Sequence, residues 1–230
     1  MSDGGAPLRV VAWSDYLCPW CANASVRLAS LERDLAGAIE IEWRSFLLRP
    51  HPRPPVRTPL EAAERRARFR RYTQGWARAA AEPDAAELRP WSDEEDGEPP
   101  SHSMPPHLVA RAARRIDRAG FARLHEALFR AYFAEHRDTT DAATLRDLWV
   151  RAGLPATRFE ESLRPGLRAE VVADHRAALE IGATAVPAVA LGDDDVAVVG
   201  AQPLAVYRRW IERALARRGA GAAGARPASG

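Results

Sequence analysis

The chain has no lysine and only two cysteines among its 230 residues. Without lysine, no side-chain amine is available as a general base or a Schiff-base nucleophile; all 33 basic residues are arginines. Together with abundant alanine, glycine and proline, this bias reads as the mark of a GC-rich genome rather than of a function. Two cysteines supply only half of a zinc site. The histidines that would complete it, His102 and His107, fit no finger spacing, so no metal is expected. An excess of one charge is lacking too: 33 basic residues face 31 acidic ones, a formal net charge of +2. That balance argues against a nucleic-acid or membrane partner. No apolar run reaches the ~20 residues needed to cross a bilayer. Met1 to Pro7 show neither the basic n-region nor the apolar h-region of a signal peptide. The expected compartment is therefore the cytoplasm, where a lone cysteine pair is more often catalytic than structural.

What is present centres on Cys18-Pro19-Trp20-Cys21. An apolar strand, Leu8 to Trp13, precedes the motif, and a helical run from Ala22 to Leu35 follows it. In that setting the backbone N–H groups of the first helical turn point at the first sulfur and favour its thiolate. The second sulfur then lies within reach of a mixed disulfide on the first. A static structural disulfide is the plainer alternative, but closing so tight a loop constrains the unfolded chain little.

Taken in order, the chain continues with Ile39-Glu40-Ile41-Glu42-Trp43, a strict alternation that predicts a half-buried strand running on through Leu48. The proline-rich run from Arg49 to Pro55 then leaves the sheet. From Leu60 the pattern is helical. Phe69, Tyr72 and Trp76 form an aromatic stripe on an arginine-rich helix whose charges are expected to be a solvated face. Pro83 to Pro106 reads as a mobile loop, long enough for a lid or an insertion. Helices resume at Val109, with a break expected at Gly120 and a cap at Thr140-Asp141. Further helices run from Pro155 and from Leu167 to Ile181. Val186-Pro187 opens a hairpin of strands 188–191 and 196–199, and Pro203 opens a final helix. The predicted organisation is a βαβ unit over 7–58, a helical insertion over 59–181, a ββα unit over 182–218, and a disordered tail over 219–230.

With these features in place, the sequence resembles the DsbA-like thioredoxin superfamily, most closely its FrnE-like branch, over roughly residues 8 to 217. The likeness is carried by Asp15-Tyr16-Leu17-Cys18-Pro19-Trp20-Cys21 and by the strand end Arg44-Ser45-Phe46-Leu47-Leu48. It continues through Ser103 and His107, Ala127 to Phe133 followed by Asp138, Val186-Pro187, and Val199-Gly200-Ala201-Gln202-Pro203. It implies an α/β, thioredoxin-like fold with a large all-helical insertion, and a protein disulfide oxidoreductase or isomerase. By the resemblance, Cys18 is the exposed nucleophile and Cys21 the buried resolving thiol. Pro187 is then cis and faces the pair, excluding competing thiols or metals, while the Val186 backbone bonds an extended peptide. Pro19 and Trp20 tune the pair and shape its rim, and His107 lines the substrate cleft. Asp15 either relays protons from Cys21 through water or serves as a turn-former or cap. The strongly oxidising periplasmic relatives carry a histidine before the second cysteine, where this chain has Trp20. A couple less oxidising than about −120 mV is therefore expected.

No cofactor is implied beyond a low-molecular-weight thiol as co-substrate. The partners are thiol- or disulfide-containing proteins or small molecules, and the protein is a monomer or homodimer. Asn23 and Ala24 stand where relatives carry an aliphatic-glycine pair, which puts the substrate-facing surface in question. Two other functions compete. A 2-hydroxychromene-2-carboxylate isomerase or kappa-class glutathione transferase shares the insertion pattern, but usually has a serine or lone residue in place of Cys18. A non-catalytic, chaperone-like binding module would tolerate loss of both cysteines.

Overall fold

A computed structural model describes residues 6–92, 99–192 and 196–224. Its centre is β1 (Leu8–Ser14), an almost unbroken apolar run. Such a strand is stable only when both of its faces are covered, and the topology provides that cover. β2 (Ile39–Ser45) pairs with β1 in parallel, and β3 (Ala188–Leu191) pairs with its other edge antiparallel. The two-residue β4 (Val198–Val199) follows on β3, so the sheet order is β2-β1-β3-β4.

The pleat divides the core in two. Val10, Ala12, Ile39, Ile41, Val189 and Leu191 face α1 (Pro19–Asp34) and α8 (Leu204–Gly224), against Leu28, Leu31, Tyr207 and Ile211. Val11, Trp13, Ala188 and Ala190 face the opposite way, into the helical insertion. The insertion comprises α2 (Pro59–Gln74), α3 (Ala77–Ala80), α4 (Met104–Ile116), α5 (Arg118–Phe133), α6 (Ala142–Arg151), a 3-10 helix (Ala156–Leu163) and α7 (Pro165–Glu180). Its last helix lies against the sheet. Trp13 Nε1 donates to the Asp174 carbonyl (3.0 Å), and the Ser45 N–H donates to the Asp174 carboxylate (3.0 Å). The fold class, an α/β thioredoxin-like unit with a helical insertion, is as the sequence implies. Asp141 caps α6 by accepting from the Thr144 N–H at 2.8 Å.

The elements depart from expectation at several points. β2 stops at Ser45 rather than Leu48: Phe46 N–H still donates to the Ser14 carbonyl, but Leu47 N–H donates to His175 and Leu48 N–H to Asp15. The aromatic stripe is split, since α2 ends at Gln74 and Trp76 begins α3; Phe69 and Trp76 are buried while Tyr72 is exposed. The break expected at Gly120 lies at Asp117, whose carboxylate accepts from the Ala119 and Gly120 N–H groups and caps α5. Gly120 serves close packing instead: a Cβ there would come within 2.6 Å of Leu154. The segment expected as a mobile loop is pinned as far as Trp91. Leu88 and Trp91 are buried, Arg89 N–H donates to the Phe133 carbonyl (2.9 Å), and Trp91 meets Phe69 edge-on. Asp93 to Glu98 lie outside the described residues. The segment ends early as well, because α4 begins at Met104. The final helix runs to Gly224, past the predicted start of the tail at 219. Alanine is the best helix former, and no proline intervenes before 227; residues 225–230 lie outside the described ones.

Two buried polar residues on α1 fasten the insertion to the sheet domain. Asn23 donates to the Ala79 carbonyl and accepts from the Ala86 N–H, both at 2.9 Å. Its departure from the family's aliphatic-glycine pair is therefore an internal clamp rather than a change of substrate surface. Arg27, 1% exposed, donates to Asp84 (2.9 Å), Glu82 (2.8 Å) and the Gln202 carbonyl (2.9 Å). It thus joins α1, the loop after α3 and the approach to α8. The Arg27 hydrogen bond holds the Asp84 carboxyl below its ordinary 3.8. A carboxyl lowered on folding contributes stability above its unfolded value and loses it as pH falls through the folded one. We expect Arg27→Leu to cost roughly 2–3 kcal/mol at neutral pH in urea unfolding, with the gap to wild type narrowing on acidification below pH ~4. A gap independent of pH would show that the charge pairing contributes nothing.

Candidate active site

The cysteine motif sits where β1 hands over to α1. Asp15 makes the turn: the Leu17 N–H donates to its carboxylate (2.8 Å), and the Cys18 N–H donates to its carbonyl (3.1 Å). Cys18 is the N-cap of α1, with extended backbone, and Pro19 fills the first helical position, where its missing N–H costs nothing. The Cys18 sulfur accepts from the Cys21 N–H at 3.3 Å, taking the place of the usual capping oxygen. It also faces the Val186 carbonyl, to which its thiol donates at 3.5 Å. The Val186–Pro187 bond is cis, and both residues are buried. Pro19 and Trp20 are half-buried at the rim.

Both cysteines are free thiols. Cys21 is fully buried, and burial raises its thiol pKa well above the ordinary value, with the Cys18 hydrogen bond and charge acting the same way. The Asp15 backbone and the Ser14 hydroxyl oppose the rise. Cys18, expected to be exposed, is only 6% exposed. The Val186 carbonyl, arriving from 168 residues away, is one of the groups packed against its sulfur.

The other sequence-singled residues divide. Asp15 belongs to the motif but is fully buried, and its carboxylate is taken up by the Leu17 and Leu48 N–H groups and the Ser103 hydroxyl; burial raises its pKa nonetheless. His107, on α4, lines a small cavity together with Ser14, Tyr16 and His125. It is buried behind the motif with its ring 4.9 Å from that of Tyr16. His102 stays on the approach to α4, beside the Ser101 hydroxyl at 2.8 Å. Among the described residues, no three histidines, cysteines or carboxylates converge as a metal site would require.

The sequence reading missed a buried polar chain next to the motif. Tyr16 Oη lies 2.8 Å from His125 Nδ1, and His125 Nε2 lies 3.0 Å from Ser25 Oγ. Burial pushes the Tyr16 phenol pKa up, so the simplest assignment has its O–H donating to Nδ1 and Nε2–H donating to Ser25. No spacing rule links positions 16, 25 and 125; only the polar letters inside otherwise apolar stripes hinted at them.

The sequence matches the DSBA-like thioredoxin domain over residues 9–212. The chain belongs to this family. No curated protein matches it significantly. Among solved structures, it is similar to a probable DsbA oxidoreductase of Streptomyces coelicolor, at 29% identity over 97% of this chain and 93% of that one, with a TM-score of 0.67. It is also similar in fold to the cytosolic disulfide reductase DsbM of Pseudomonas aeruginosa, at 22% identity over 90% of this chain and 98% of that one, with a TM-score of 0.69. A second structure of DsbM, with GSH, matches at 22% identity over 90% of this chain and 99% of that one, with a TM-score of 0.65.

The burial of the DSBA-like site has two measurable consequences. Iodoacetamide at neutral pH should modify Cys18 first, and Cys21 in a Cys18→Ser variant should stay unlabelled until the protein unfolds. Equal labelling of the two in the native protein would contradict the geometry. His107 and His125 are held neutral by burial, which pushes each pKa from 6.5 down to about 3. Between those values the unfolded chain binds more protons than the folded one, so stability should fall as pH drops through the interval. A His125→Gln variant should lower the slope of unfolding free energy against pH there by about one proton; an unchanged slope would mean that His125 titrates normally.

Proposed function

We propose that the protein is a thiol–disulfide oxidoreductase whose Cys18–Cys21 couple exchanges disulfides with protein or small-thiol substrates. The observation that carries this reading is the setting of the Cys18 sulfur, between the Cys21 N–H at 3.3 Å and the Val186 carbonyl at 3.5 Å, with the second thiol buried directly behind it. The Cys21 N–H points at the sulfur that acts as the nucleophile. The Cys18 thiolate attacks one sulfur of a substrate disulfide, and the other sulfur leaves with the electron pair. Cys21 then attacks the Cys18 sulfur of the mixed disulfide and releases the second substrate thiol. The protein pair is oxidised and the substrate reduced; the reverse sequence oxidises a dithiol.

When Cys18 ionises it no longer donates to Val186. That carbonyl then becomes a free acceptor beside the reactive sulfur, placed for an N–H of an extended peptide. This supports the substrate-binding role of Val186, with Pro19 and Trp20 forming the rim. Asp15 acts in this reading as the turn-former that presents Cys18, since its oxygens are already engaged. His107 acts from behind the motif. The intact cysteine pair favours this chemistry over cofactor-dependent isomerisation. A low-molecular-weight thiol such as glutathione serves as co-substrate, in line with the GSH present in the DsbM structure. The FrnE-like branch and the cytoplasm complete the reading, together with a monomer or homodimer; among the described residues no helix is long and apolar enough to cross a membrane.

Equilibration in defined glutathione buffers tests it. A two-electron equilibrium should appear, with a potential more negative than about −120 mV because Trp20 brings no positive charge to the thiolate, and it should vanish in Cys18→Ser. Failure to form any reversible disulfide would overturn the proposal and bring the isomerase or binding-module alternatives forward.

A further inference from the structure

The charge of the chain is balanced overall but not locally. Residues 49–72 hold eight arginines and two acidic residues, so the rest of the chain is net acidic. The fold places this excess beside the motif. β1 and β2 are parallel with Ser14 opposite Ser45, so the cysteine turn and the run after β2 leave the sheet at the same end. The Leu48 N–H donates to the Asp15 carboxylate (2.7 Å), which also takes the Leu17 N–H. Arg49 follows directly. Its N–H donates to Ser103 Oγ (3.0 Å) and its carbonyl accepts from the Ser103 N–H (2.8 Å). Pro50, Pro52, Pro54 and Pro55 keep the run out of helix and sheet until α2 begins at Pro59.

Between that run and α2 lie two adjoining hollows of about 320 and 360 Å3, which share Pro54, Arg65 and Arg68. Five arginines line them, Arg49, Arg53, Arg57, Arg65 and Arg68, against one acidic residue, Glu61. The Glu61 carboxylate already accepts from the Arg57 N–H at 2.7 Å. On α2, Glu61, Arg65, Arg68 and Tyr72 are spaced four, three and four apart, which is one helical face. Arg65 ties the two walls together by donating to the Pro54 carbonyl at 2.5 Å. Among the described residues none of the five guanidinium groups is paired with a carboxylate, and Arg49 Nη1 is buried without any hydrogen-bond partner. Arg49 lies over the Tyr72 ring at 5.7 Å and Arg53 over the Phe69 ring at 5.5 Å. Stacking covers the face of a guanidinium and leaves its edge N–H groups for a planar acceptor such as a carboxylate. The same surface is partly apolar, with Leu48, Val56, Leu60 and Tyr72 between 41% and 69% exposed.

We propose that this groove receives the acidic flank of a disulfide-bearing polypeptide whose sulfur is joined to Cys18, so that the preferred substrates are disulfides set in acidic segments. The inference rests on the oxidoreductase reading above and leaves its chemistry unchanged. An uncompensated arginine cluster repels itself and attracts anions, and each carboxylate that enters relieves that repulsion. The exposed apolar side chains between the arginines suit a polypeptide better than a nucleic acid, which also has no sulfur to offer Cys18. The charge acts on selection among substrates and on the rate of encounter, while the covalent step stays with the cysteines.

The test mixes reduced protein, at low salt, with peptides whose single cysteine carries a pyridyl disulfide. The Cys18 thiolate attacks the peptide sulfur, the peptide–pyridyl S–S bond breaks, and the electron pair leaves on pyridine-2-thiolate, which takes a proton from solvent and is followed by absorbance. Cys21 then displaces the peptide thiol as above. Each rate is divided by that of the same peptide with 2-mercaptoethanol, a neutral thiol. A peptide with aspartate and glutamate around its cysteine should react about tenfold faster than one of equal length with asparagine and glutamine. The advantage should collapse at high salt, and in Arg53→Gln/Arg68→Gln, two side chains that make no hydrogen bond among the described residues. The salt comparison needs no variant. Equal rates for the two peptides, or an advantage indifferent to salt, would overturn the proposal and leave the oxidoreductase reading standing. Equal rates that separate only after Asp93, Glu94, Glu95, Asp96 and Glu98 are changed to asparagine or glutamine would give the groove to the chain's own acidic run instead. A cysteine-free acidic peptide should inhibit more strongly than an oligothymidylate of equal charge; the opposite order would make the groove a nucleic-acid surface and sink the proposal. If neither peptide reacts at Cys18, the oxidoreductase reading falls and the groove's role with it.

Discussion

The structure depends on one meeting of distant chain segments: the Cys18 sulfur against the Val186 carbonyl, 168 residues apart in sequence. Neither half of the thioredoxin-like unit holds a complete site. The first supplies the sulfurs and the helical N–H; the second supplies the carbonyl and the cis proline that follows it in sequence. Antiparallel pairing of β1 with β3 brings them together, so the apolar run that makes β1 a central strand also sets the register of the chemistry. The helical insertion lies between the two halves in sequence and must fold without prising them apart.

That requirement explains the polar residues in its seams. Asn23 and Arg27 extend from the same helix that carries Cys21 and hold the loops around α3, while Asp174 on α7 grips the ends of β1 and β2. Apolar burial is nondirectional and would allow the insertion to slide over the sheet. Hydrogen bonds with fixed partners do not, and every displacement here would leave a buried donor unmatched. The rigidity reaches the site because α1 is common to both.

What the sequence made legible follows the same division between periodic and nonperiodic information. The thioredoxin-like fold, the presence of a helical insertion and the motif were readable because they rest on strand and helix periods and on a spacing of two between cysteines. The burial of Cys18 was not, because one of the groups packed against its sulfur arrives from position 186 and no local pattern records its approach. Gly120 looked like a helix stop because its packing partner, Leu154, lies in another element. Trp91 sat in a polar, proline-rich stretch that reads as a loop, yet it packs against Phe69 and Tyr132. The Tyr16–His125–Ser25 chain and the Ser14–His107 cavity escaped notice for a related reason. Single polar residues in apolar stripes acquire meaning only when their partners are placed beside them.

The short sheet also has an unusual pair of borders. β4 contributes two residues and β2 alternates Ile39, Glu40, Ile41, Glu42, with Glu40 paired to Arg118 and Glu42 to Arg9 and Arg44. A neighbouring strand docking on β2 would have to strip water from those charges, and β4 is too brief to template a ladder. A protein whose proposed substrates include thiol-bearing chains meets extended backbone whenever such a chain docks. Its borders discourage adhesion by β-addition at the sheet edges, so the hold on a substrate concentrates at the site itself, where the covalent sulfur link can be cut by the neighbouring thiol.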